Sequence, residues 1–503
     1  MFSRSAAFAE LSSRTFDALI VGGGITGAGI ARDAAMRGLR VALIDKDDFA
    51  SGTSSRSSRL IHGGVRYLEH GYLHLVFEAS AERRRLLRLA PHLVYPLAFI
   101  WPVYTGQRLP IWKLAAGLTV YDLLSLFRNV EPHKRLSADE VLASEPRLNP
   151  LQLRGGVRYF DAATNDARLT VVNVLDARHL GAITVNYAEL TRVESASGLR
   201  VAHVVDTLTG EGFEVRARIL VNATGPWSDA VVRLEGRATT TRVQGSKGSH
   251  IAVARDRVGN NDALTLLHPK DGRVMFALPA GPNTIIGTTD TFTSVTPDEV
   301  RASKDDVSYL LEAANEFFPD ARLHRHDVVS AWAGIRPLMP SGGSSVQASR
   351  EHAIERVDGT VTITGGKLTT YRVMARQVVD VVQQALRMPR KRALTGERPL
   401  PDDTSERQRL CDRSVDLQRE IVPGLPYRMG DMAWGVEREL ACTLGDLLIR
   451  RTHVAFETRD NGRAAARHVA QLVRPLLGWD AAQHQRELDR YDAEVARIFT
   501  IEP

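Results

Sequence analysis

Short apolar runs that end in glycine recur along the chain and predict buried strands of a parallel sheet. The first is 17–21 (DALIV), which leads into three glycines. A stretch of helix composition, 28–37, then precedes a second run at 41–44 (VALI). Two later runs, 219–224 and 361–364, end in glycine as well. The N-terminal order therefore predicts a β–α–β unit.

Between residues 236 and 340 the pattern changes to shorter runs separated by turns rich in Gly, Pro and Asn. This pattern is typical of antiparallel strands, which we expect at 250–254, 274–278 and 284–287. They fit a sheet whose face closes over a bound group.

The remaining segments are predicted to be mainly helical. Residues 71–150 have this composition, for example at 77–89, and 409–503 are helical as well. The polar, proline-bearing segment 388–408 between them has the composition of a linker. No run reaches ~18 apolar residues, so we expect no membrane-spanning helix.

The most lipid-like segment is 111–127 (IWKLAAGLTVYDLLSLF), with Trp112, Lys113 and Tyr121 near its polar edge. Two interpretations stay open: a helix that lies in a membrane interface, and a core helix with one wet face.

Composition limits the function classes. The 503 residues predict roughly three domains at about 100–200 residues each. Only two cysteines, Cys411 and Cys442, are present, so we expect no disulfide framework, no iron–sulfur cluster and no metal site. The net charge of +6 is mild for this length and does not indicate nucleic-acid binding. The chain has eight lysines and 57 arginines, so a lysine that is flanked by glycine is a candidate for a specific role.

The first β–α–β unit carries a G-x-G-x-x-G motif on Gly22, Gly24 and Gly27. These glycines permit the tight turn, the approach of a pyrophosphate to the backbone and the packing of helix on strand. Asp45 ends the second strand, where a carboxylate can accept both ribose hydroxyls of a dinucleotide. An acid there disfavours NADP, whereas FAD and NAD both stay open.

Three further segments favour a flavin. Residues 51–59 (SGTSSRSSR) follow the second strand and offer hydroxyls and backbone N–H groups, although such a run is also typical of a flexible linker. Residues 219–227 place Ala-Thr-Gly after a strand. In 361–372 a strand ends at two glycines and enters a helix, with Lys367 beside its N-terminus. A cation and a helix N-terminus would stabilise the negative charge of a reduced flavin.

Seven motifs together resemble the FAD-dependent glycerol-3-phosphate dehydrogenases of the aerobic, quinone-linked type. The likeness spans roughly 15–475 and rests on VGGGITGAGIARDAA, SSRLIHGGVRYLEHG, NATGPW, KGSHI, IIGTTD, GIRPL and GGKLTTYR, in this order. The resemblance implies oxidation of sn-glycerol 3-phosphate to dihydroxyacetone phosphate. It also implies transfer of the electrons through FAD to a membrane quinone, by a cytoplasmic protein attached peripherally to the inner membrane face.

The resemblance also implies site residues. The substrate phosphate is expected on Arg66, Tyr67, Arg336 and Lys367, and Thr288 is expected at the glycerol end. Arg336 and Lys367 are expected to act in catalysis as well, because binding energy at the phosphate positions the carbinol. The implied flavin contacts are Gly22, Gly24, Gly27, Asp45, Ser54, Ser55, Ala223, Gly225, Lys247, His250 and Gly366.

Alcohol oxidation requires a base for the hydroxyl proton. His250 and His62 are the candidates, and a desolvated Lys367 is a further alternative.

The scattered motifs predict an α/β fold with three parts. These are a discontinuous Rossmann-like FAD-binding domain (1–75, 151–238 and 341–390), an α+β antiparallel-sheet cap (76–150 and 239–340) and a helical C-terminal domain (391–503). Two positions depart from the family: 400–403 (LPDD) replaces Leu-Pro-Gly-Gly, and Asn165-Asp166 replaces paired aspartates.

Two other functions stay open. One is a glycerophosphate oxidase that reduces oxygen, and the other is a non-catalytic flavin-fold protein that binds a partner. The basic side chains fit an anionic substrate and an anionic membrane surface. The oligomeric state is open, with a homodimer among the alternatives.

Overall fold

The computed structural model describes residues 4–64, 73–124, 130–238, 243–338 and 352–502. Its strands within these ranges, in chain order, are β1 (Thr15–Val21), β2 (Val41–Ile44), β3 (Leu60–Ile61), β4 (Val94–Tyr104), β5 (Lys134–Leu136), β6 (Leu153–Thr164), β7 (Ile183–Val185), β8 (Ala188–Ala196), β9 (Leu199–Asp206), β10 (Gly212–Asn222), β11 (Gln244–Ala254), β12 (Ala263–Leu267), β13 (Val274–Ala280), β14 (Asn283–Gly287), β15 (Thr291–Phe292), β16 (Val328–Leu338), β17 (His352–Val357) and β18 (Thr360–Gly365).

The α-helices in the same ranges are α1 (Arg4–Ser13), α2 (Ile25–Met36), α3 (Leu73–Leu89), α4 (Ile111–Leu124), α5 (Ala138–Ser144), α6 (Asp166–His179), α7 (Ser228–Leu234), α8 (Arg255–Val258), α9 (Lys304–Phe317), α10 (Tyr371–Ala385), α11 (Thr404–Cys411), α12 (Val415–Gln418), α13 (Met429–Arg438), α14 (Val454–Glu457), α15 (Arg463–Leu477) and α16 (Ala481–Phe499). None of them is long and apolar enough to cross a membrane.

The smaller sheet confirms the predicted β–α–β unit. Its main strand order is β17-β18-β10-β1-β2-β7, and β18, β10, β1, β2 and β7 run parallel. Helices α2, α6 and α10 pack together on it and bury their small apolar residues. The four apolar runs of the sequence, three of which lead into glycine, all lie in this sheet, so their ends meet at one edge.

The larger sheet has the order β15-β11-β14-β13-β12-β4-β6-β3, with β16 beside β11 and β5 beside β6. Its pairs are antiparallel except that of β12 with β4. The three strands predicted between 236 and 340 are confirmed as β11, β13 and β14.

Two features of the larger sheet differ from the sequence interpretation. The region read as mainly helical contains the eleven-residue strand β4. Strand β6 also pairs with β4, although the predicted division places its residues with the FAD-binding part. We keep the three-part division as a proposal.

Buried charge joins the C-terminal part to the smaller sheet, through two arginines that lie between α13 and α14. Asp48, which follows β2, accepts hydrogen bonds from Arg450 Nε at 2.7 Å and Arg451 Nη1 at 2.6 Å. The predicted linker contains no regular element before α11, but it is tied to the fold: Leu400 is buried, and its N–H donates to Leu89 O at 2.8 Å.

Candidate active site

A cavity of about 850 Å³ runs along the carboxyl edge of the smaller sheet and under the larger one. Eight of the eleven predicted flavin contacts line it: Gly22, Gly24, Asp45, Ser54, Ala223, Gly225, His250 and Gly366. The other three do not. Gly27 lies behind the wall, Ser55 donates to Gly52 O at 3.4 Å, and Lys247 forms an ion pair with Asp306 at 2.7 Å.

The glycines form the cradle that a dinucleotide requires. Gly22 has a φ of +103°, and a Cβ there would lie 2.7 Å from Ala223 O. A Cβ on Gly27 would lie 1.8 Å from Gly22 O, so only glycine lets α2 pack this closely on β1. Helix α2 begins beside the cavity after Gly24, where its N-terminus favours an anion. Ser54 Oγ accepts from Ile25 N at 2.9 Å and so joins the serine-rich segment to this helix.

Asp45 lies at the end of β2 in the cavity wall. Its carboxylate accepts from Gly23 N at 2.6 Å and Asp47 N at 3.0 Å. Desolvation nevertheless raises the pKa of Asp45 to about 7, because two backbone donors only partly offset the burial of charge. The carboxylate therefore has unused acceptor capacity that faces the cavity.

A second cavity of about 140 Å³ adjoins the first, and Ser58, Leu60, His62 and Arg336 line both. Thr288 lines the small cavity, whereas Lys367 lines the large one. Arg336 lies at their junction and donates to Thr288 Oγ1 at 3.0 Å and Thr289 O at 3.3 Å. The structure thus brings Arg336 and Thr288 together at the junction and places Lys367 in the wall of the large cavity. Arg66 and Tyr67 lie outside the described residues.

His250 is almost completely enclosed, with 2% of its surface exposed. Its Nε2 lies 2.8 Å from Ser58 Oγ, and its ring stacks on Trp332 with centroids 5.4 Å apart. Burial, followed by the charges of Arg336 and Arg59, lowers the pKa of His250 to about 3. The imidazole is therefore neutral, and in this environment it is a weak base. His62 lines both cavities, and its backbone N–H donates to Thr369 Oγ1 at 3.2 Å.

The expectation that Tyr121 lies at the polar edge of an interface helix is wrong. Tyr121 is 1% exposed, and its hydroxyl donates to Asp161 Oδ1 at 2.7 Å. The Tyr121 hydroxyl and Asp161 Oδ1 both accept from Gly63 N, at 3.0 and 3.2 Å, and Arg83 forms an ion pair with Asp161. The cluster supports the backbone beside His62, and Asp161 itself lines the small cavity. The described part of the lipid-like segment 111–127 forms helix α4 (Ile111–Leu124), and Trp112 on it is 66% exposed.

Sequence reasoning also missed Arg273, which lines the small cavity and donates to Asp290 O at 2.7 Å. Arg273 directly precedes β13 and belongs to no recognisable motif, so no sequence pattern could have predicted its place in the cavity wall. The family departure at Asn165 is harmless to the fold, because its side chain caps α6 by accepting from Arg168 N at 2.9 Å.

Family models match nearly the whole chain. The model described as FAD dependent oxidoreductase covers residues 17–381, and that of the C-terminal domain of alpha-glycerophosphate oxidase covers 400–484. The fold and the cradle define the protein as an FAD-dependent oxidoreductase.

Comparison with similar proteins identifies the family within this class of oxidoreductases. Glycerol-3-phosphate dehydrogenase from Synechocystis is 34% identical over 96% of this chain and 97% of its own length. The human mitochondrial enzyme is 35% identical over 97% of this chain and 74% of its own. The structure of the Bacillus halodurans glycerol-3-phosphate dehydrogenase complexed with FAD aligns with a TM-score of 0.80 and 28% identity, and covers 98% of this chain and 97% of that one. The chain belongs to the glycerol-3-phosphate dehydrogenase family.

The residues present fit FAD. The glycine cradle, the α2 N-terminus and the Asp45 carboxylate suit the pyrophosphate and ribose, and the volume of the cavity leaves room for an isoalloxazine ring. Gly366 (φ +90°) and Lys367 begin the turn into α10 and line the same cavity.

Proposed function

We propose that the protein oxidises sn-glycerol 3-phosphate to dihydroxyacetone phosphate and passes the electrons to a membrane quinone. The observation that carries this proposal is the junction of the two cavities, where Arg336 contacts Thr288 of the small cavity, with Lys367 in the wall of the large one. The relatives named glycerol-3-phosphate dehydrogenase support the same substrate.

The cations suit a phosphate monoester. Arg336 offers a planar fork of N–H donors, and Lys367 adds a compact point charge. Binding energy at the phosphate then holds the carbinol in a reactive position, so its loss lowers both affinity and rate.

His250 is our choice for the proton acceptor over His62, because its neutral ring is held rigidly at the cavity wall by Ser58 and Trp332. FAD, when bound, supplies the acceptor for the hydride that leaves the same carbon.

The quinone and the membrane face are supported by an exposed apolar surface. On α4, Trp112, Val120 and Leu123 are 66%, 40% and 56% exposed, and on neighbouring α3, Phe77 is 48% exposed. Aromatic and aliphatic side chains on one face, with Lys113 beside them, are typical of a helix that rests on an anionic bilayer. A homodimer stays a prediction.

The decisive experiment is anaerobic addition of sn-glycerol 3-phosphate to the FAD-loaded protein. We expect loss of the visible flavin absorption band, followed by its return when a soluble quinone is added. Persistence of the band would contradict the proposed substrate and favour the non-catalytic alternative. Stoichiometric hydrogen peroxide in air, with no faster turnover on quinone, would favour the oxidase.

A further inference from the structure

Ser58 occupies the point at which the two cavities meet. It lines both of them and is partly exposed, whereas its partner His250 lines only the large one and is 2% exposed. The distance from Ser58 Oγ to His250 Nε2 is 2.8 Å. A substrate in the small cavity therefore meets the serine hydroxyl before it meets the imidazole.

The neighbouring serines have other partners. Ser54 accepts from Ile25 N, and Ser57 donates to Asp166 Oδ2 at 2.6 Å. Ser58 is the member of this serine-rich segment that is directed to a titratable ring at the cavity junction.

Both members of the pair are held rigidly. Arg59, directly after Ser58, has a φ of +57°, and its carbonyl accepts from Thr164 N at 2.9 Å. The Arg59 guanidinium lies 5.8 Å from the centroid of Trp332, the ring on which His250 stacks. Gly287 packs against the other edge of His250, since a Cβ at position 287 would lie 2.3 Å from Cδ2 of the ring.

We propose, on the basis of the function proposed above, that Ser58 is a catalytic residue that relays the substrate hydroxyl proton to His250. The carbinol O–H bond breaks and its proton forms a new O–H bond on Ser58 Oγ. The serine's own proton moves at the same time to His250 Nε2, which becomes an imidazolium. The hydride leaves the carbinol carbon to the FAD that the family's activity supplies, so charge and atoms balance.

The charges around His250 link this relay to phosphate binding. Burial, and after it the charges of Arg336 and Arg59, disfavour an imidazolium in the free protein and lower the pKa of His250. A phosphate dianion on Arg336 would offset that repulsion and make the ring a better proton acceptor only when the correct substrate is bound.

The test compares Ser58→Ala, Ser58→Thr and Ser308→Ala by the limiting rate of flavin reduction in single turnover. Ser308 is an exposed control on α9. General acid–base groups contribute about 10²–10⁴-fold, so we expect Ser58→Ala to be slower by about 100-fold or more, with FAD content and half-saturating substrate concentration within about twofold of the parent. Ser58→Thr keeps the hydroxyl and should recover most of the rate.

A second arm uses His250→Gln alone and combined with Ser58→Ala. Residues that act as one unit are strongly non-additive, so the double variant should be no slower than the slower single variant. Multiplied losses would overturn the relay, as would an unchanged rate in Ser58→Ala or equal losses in the Ala and Thr variants. If Ser58→Ala fails to retain FAD, Ser58→Val, which has the shape of the threonine variant without its hydroxyl, replaces it, and parental reduction by that variant would overturn the relay. If the parent protein itself is not reduced by sn-glycerol 3-phosphate, the proposed function fails.

Discussion

Lys46 Nζ lies 2.8 Å from Asp298 Oδ1, and the two residues come from different sheets. Lys46 follows β2 of the smaller sheet, and Asp298 lies in the segment after β15 of the larger one. Trp227 Nε1 also donates to Asp298, at 2.9 Å, and the Trp227 ring lies 5.0 Å from the ammonium. All three side chains line the large cavity. We infer that this cluster fastens the two sheets across the cofactor cavity.

Asp298→Asn is expected to weaken the retention of FAD. Lys46 and Asp298 are 34% and 44% exposed, and such ion pairs contribute about 0.2–1 kcal/mol, so FAD should dissociate about 1.5- to fivefold faster. Flavin fluorescence after dilution of the holoprotein measures this rate. Glu299→Gln is the control, because that carboxylate accepts from Thr296 and does not line the cavity. Equal rates in both variants would contradict the inference.

The raised pKa of Asp45 leads us to expect that FAD binding depends on pH. Its pKa is raised to about 7, and the ionised form is the better acceptor for two ribose hydroxyls. Below this pKa the carboxyl must lose a proton when FAD binds, so affinity falls as the pH is lowered, by up to about tenfold per pH unit, and levels off above about pH 8. Titration of the apoprotein with FAD at several pH values measures the slope. Asp45→Asn should bind more weakly and without this slope. The same slope in that variant would assign the proton to another group.

Arg336→Lys tests whether the planar fork is needed at the junction. Lysine keeps the positive charge but cannot reach Thr288 and a phosphate with separate N–H groups. Hydrogen bonds to charged groups contribute about 1.5–3 kcal/mol, so kcat/KM for sn-glycerol 3-phosphate should fall about 10- to 100-fold. Steady-state kinetics with a dye as acceptor measures the change, and Arg356→Lys on an exposed position of β17 is the control. An unchanged kcat/KM in Arg336→Lys would remove Arg336 from the substrate site.

Sequence patterns predicted those parts of the fold that are determined by residues close together in the chain. The β1–α2–β2 unit and its glycines could be predicted, because strand period, turn and helix packing are encoded within some 30 residues. Strand β4 could not, since Pro96 and Pro102 argue against a central strand. The structure accommodates both prolines because β12 pairs with β4 only at Phe99 and Ile100.

The site was predicted only where motifs mark it. Arg336 and Lys367 lie in glycine-bearing motifs, whereas Arg273 and Asp161 reach the small cavity through sheet register, which is set by non-local pairing. The partnership of Ser58 with His250 spans 192 positions. A contact between residues so far apart in the chain cannot be predicted from the periodicity or motif spacing of a single sequence.

The exposed face of α4 predicts membrane binding that depends on apolar side chains. Trp112→Glu combined with Leu123→Glu places two charges where lipid contact is proposed, and each loses burial worth up to about 1.5–3 kcal/mol. Co-sedimentation with anionic phospholipid vesicles should fall at least about tenfold. Leu151→Glu combined with Val415→Glu is the matched control, because these residues are 72% and 84% exposed on other elements. Equal losses in both double variants would exclude a specific face.

The contacts of Asp48 with two arginines of the C-terminal part lead us to expect that this part stabilises the nucleotide-binding part. Its carboxylate is fully buried between Arg450 and Arg451, and breaking a buried pair costs at most about 3–5 kcal/mol. The cost is smaller here because Arg450 also pairs with Asp446 and Glu494, and Arg451 with Glu439. With an unfolding entropy of about 2.1 cal/mol/K per residue, Asp48→Asn should lower the thermal midpoint by up to about 3–5 °C. Differential scanning calorimetry at a fixed scan rate measures the midpoint, with exposed Asp305→Asn as control. An unchanged midpoint would show that the arginines find other acceptors, and it would leave apolar packing as the contact that joins the two parts.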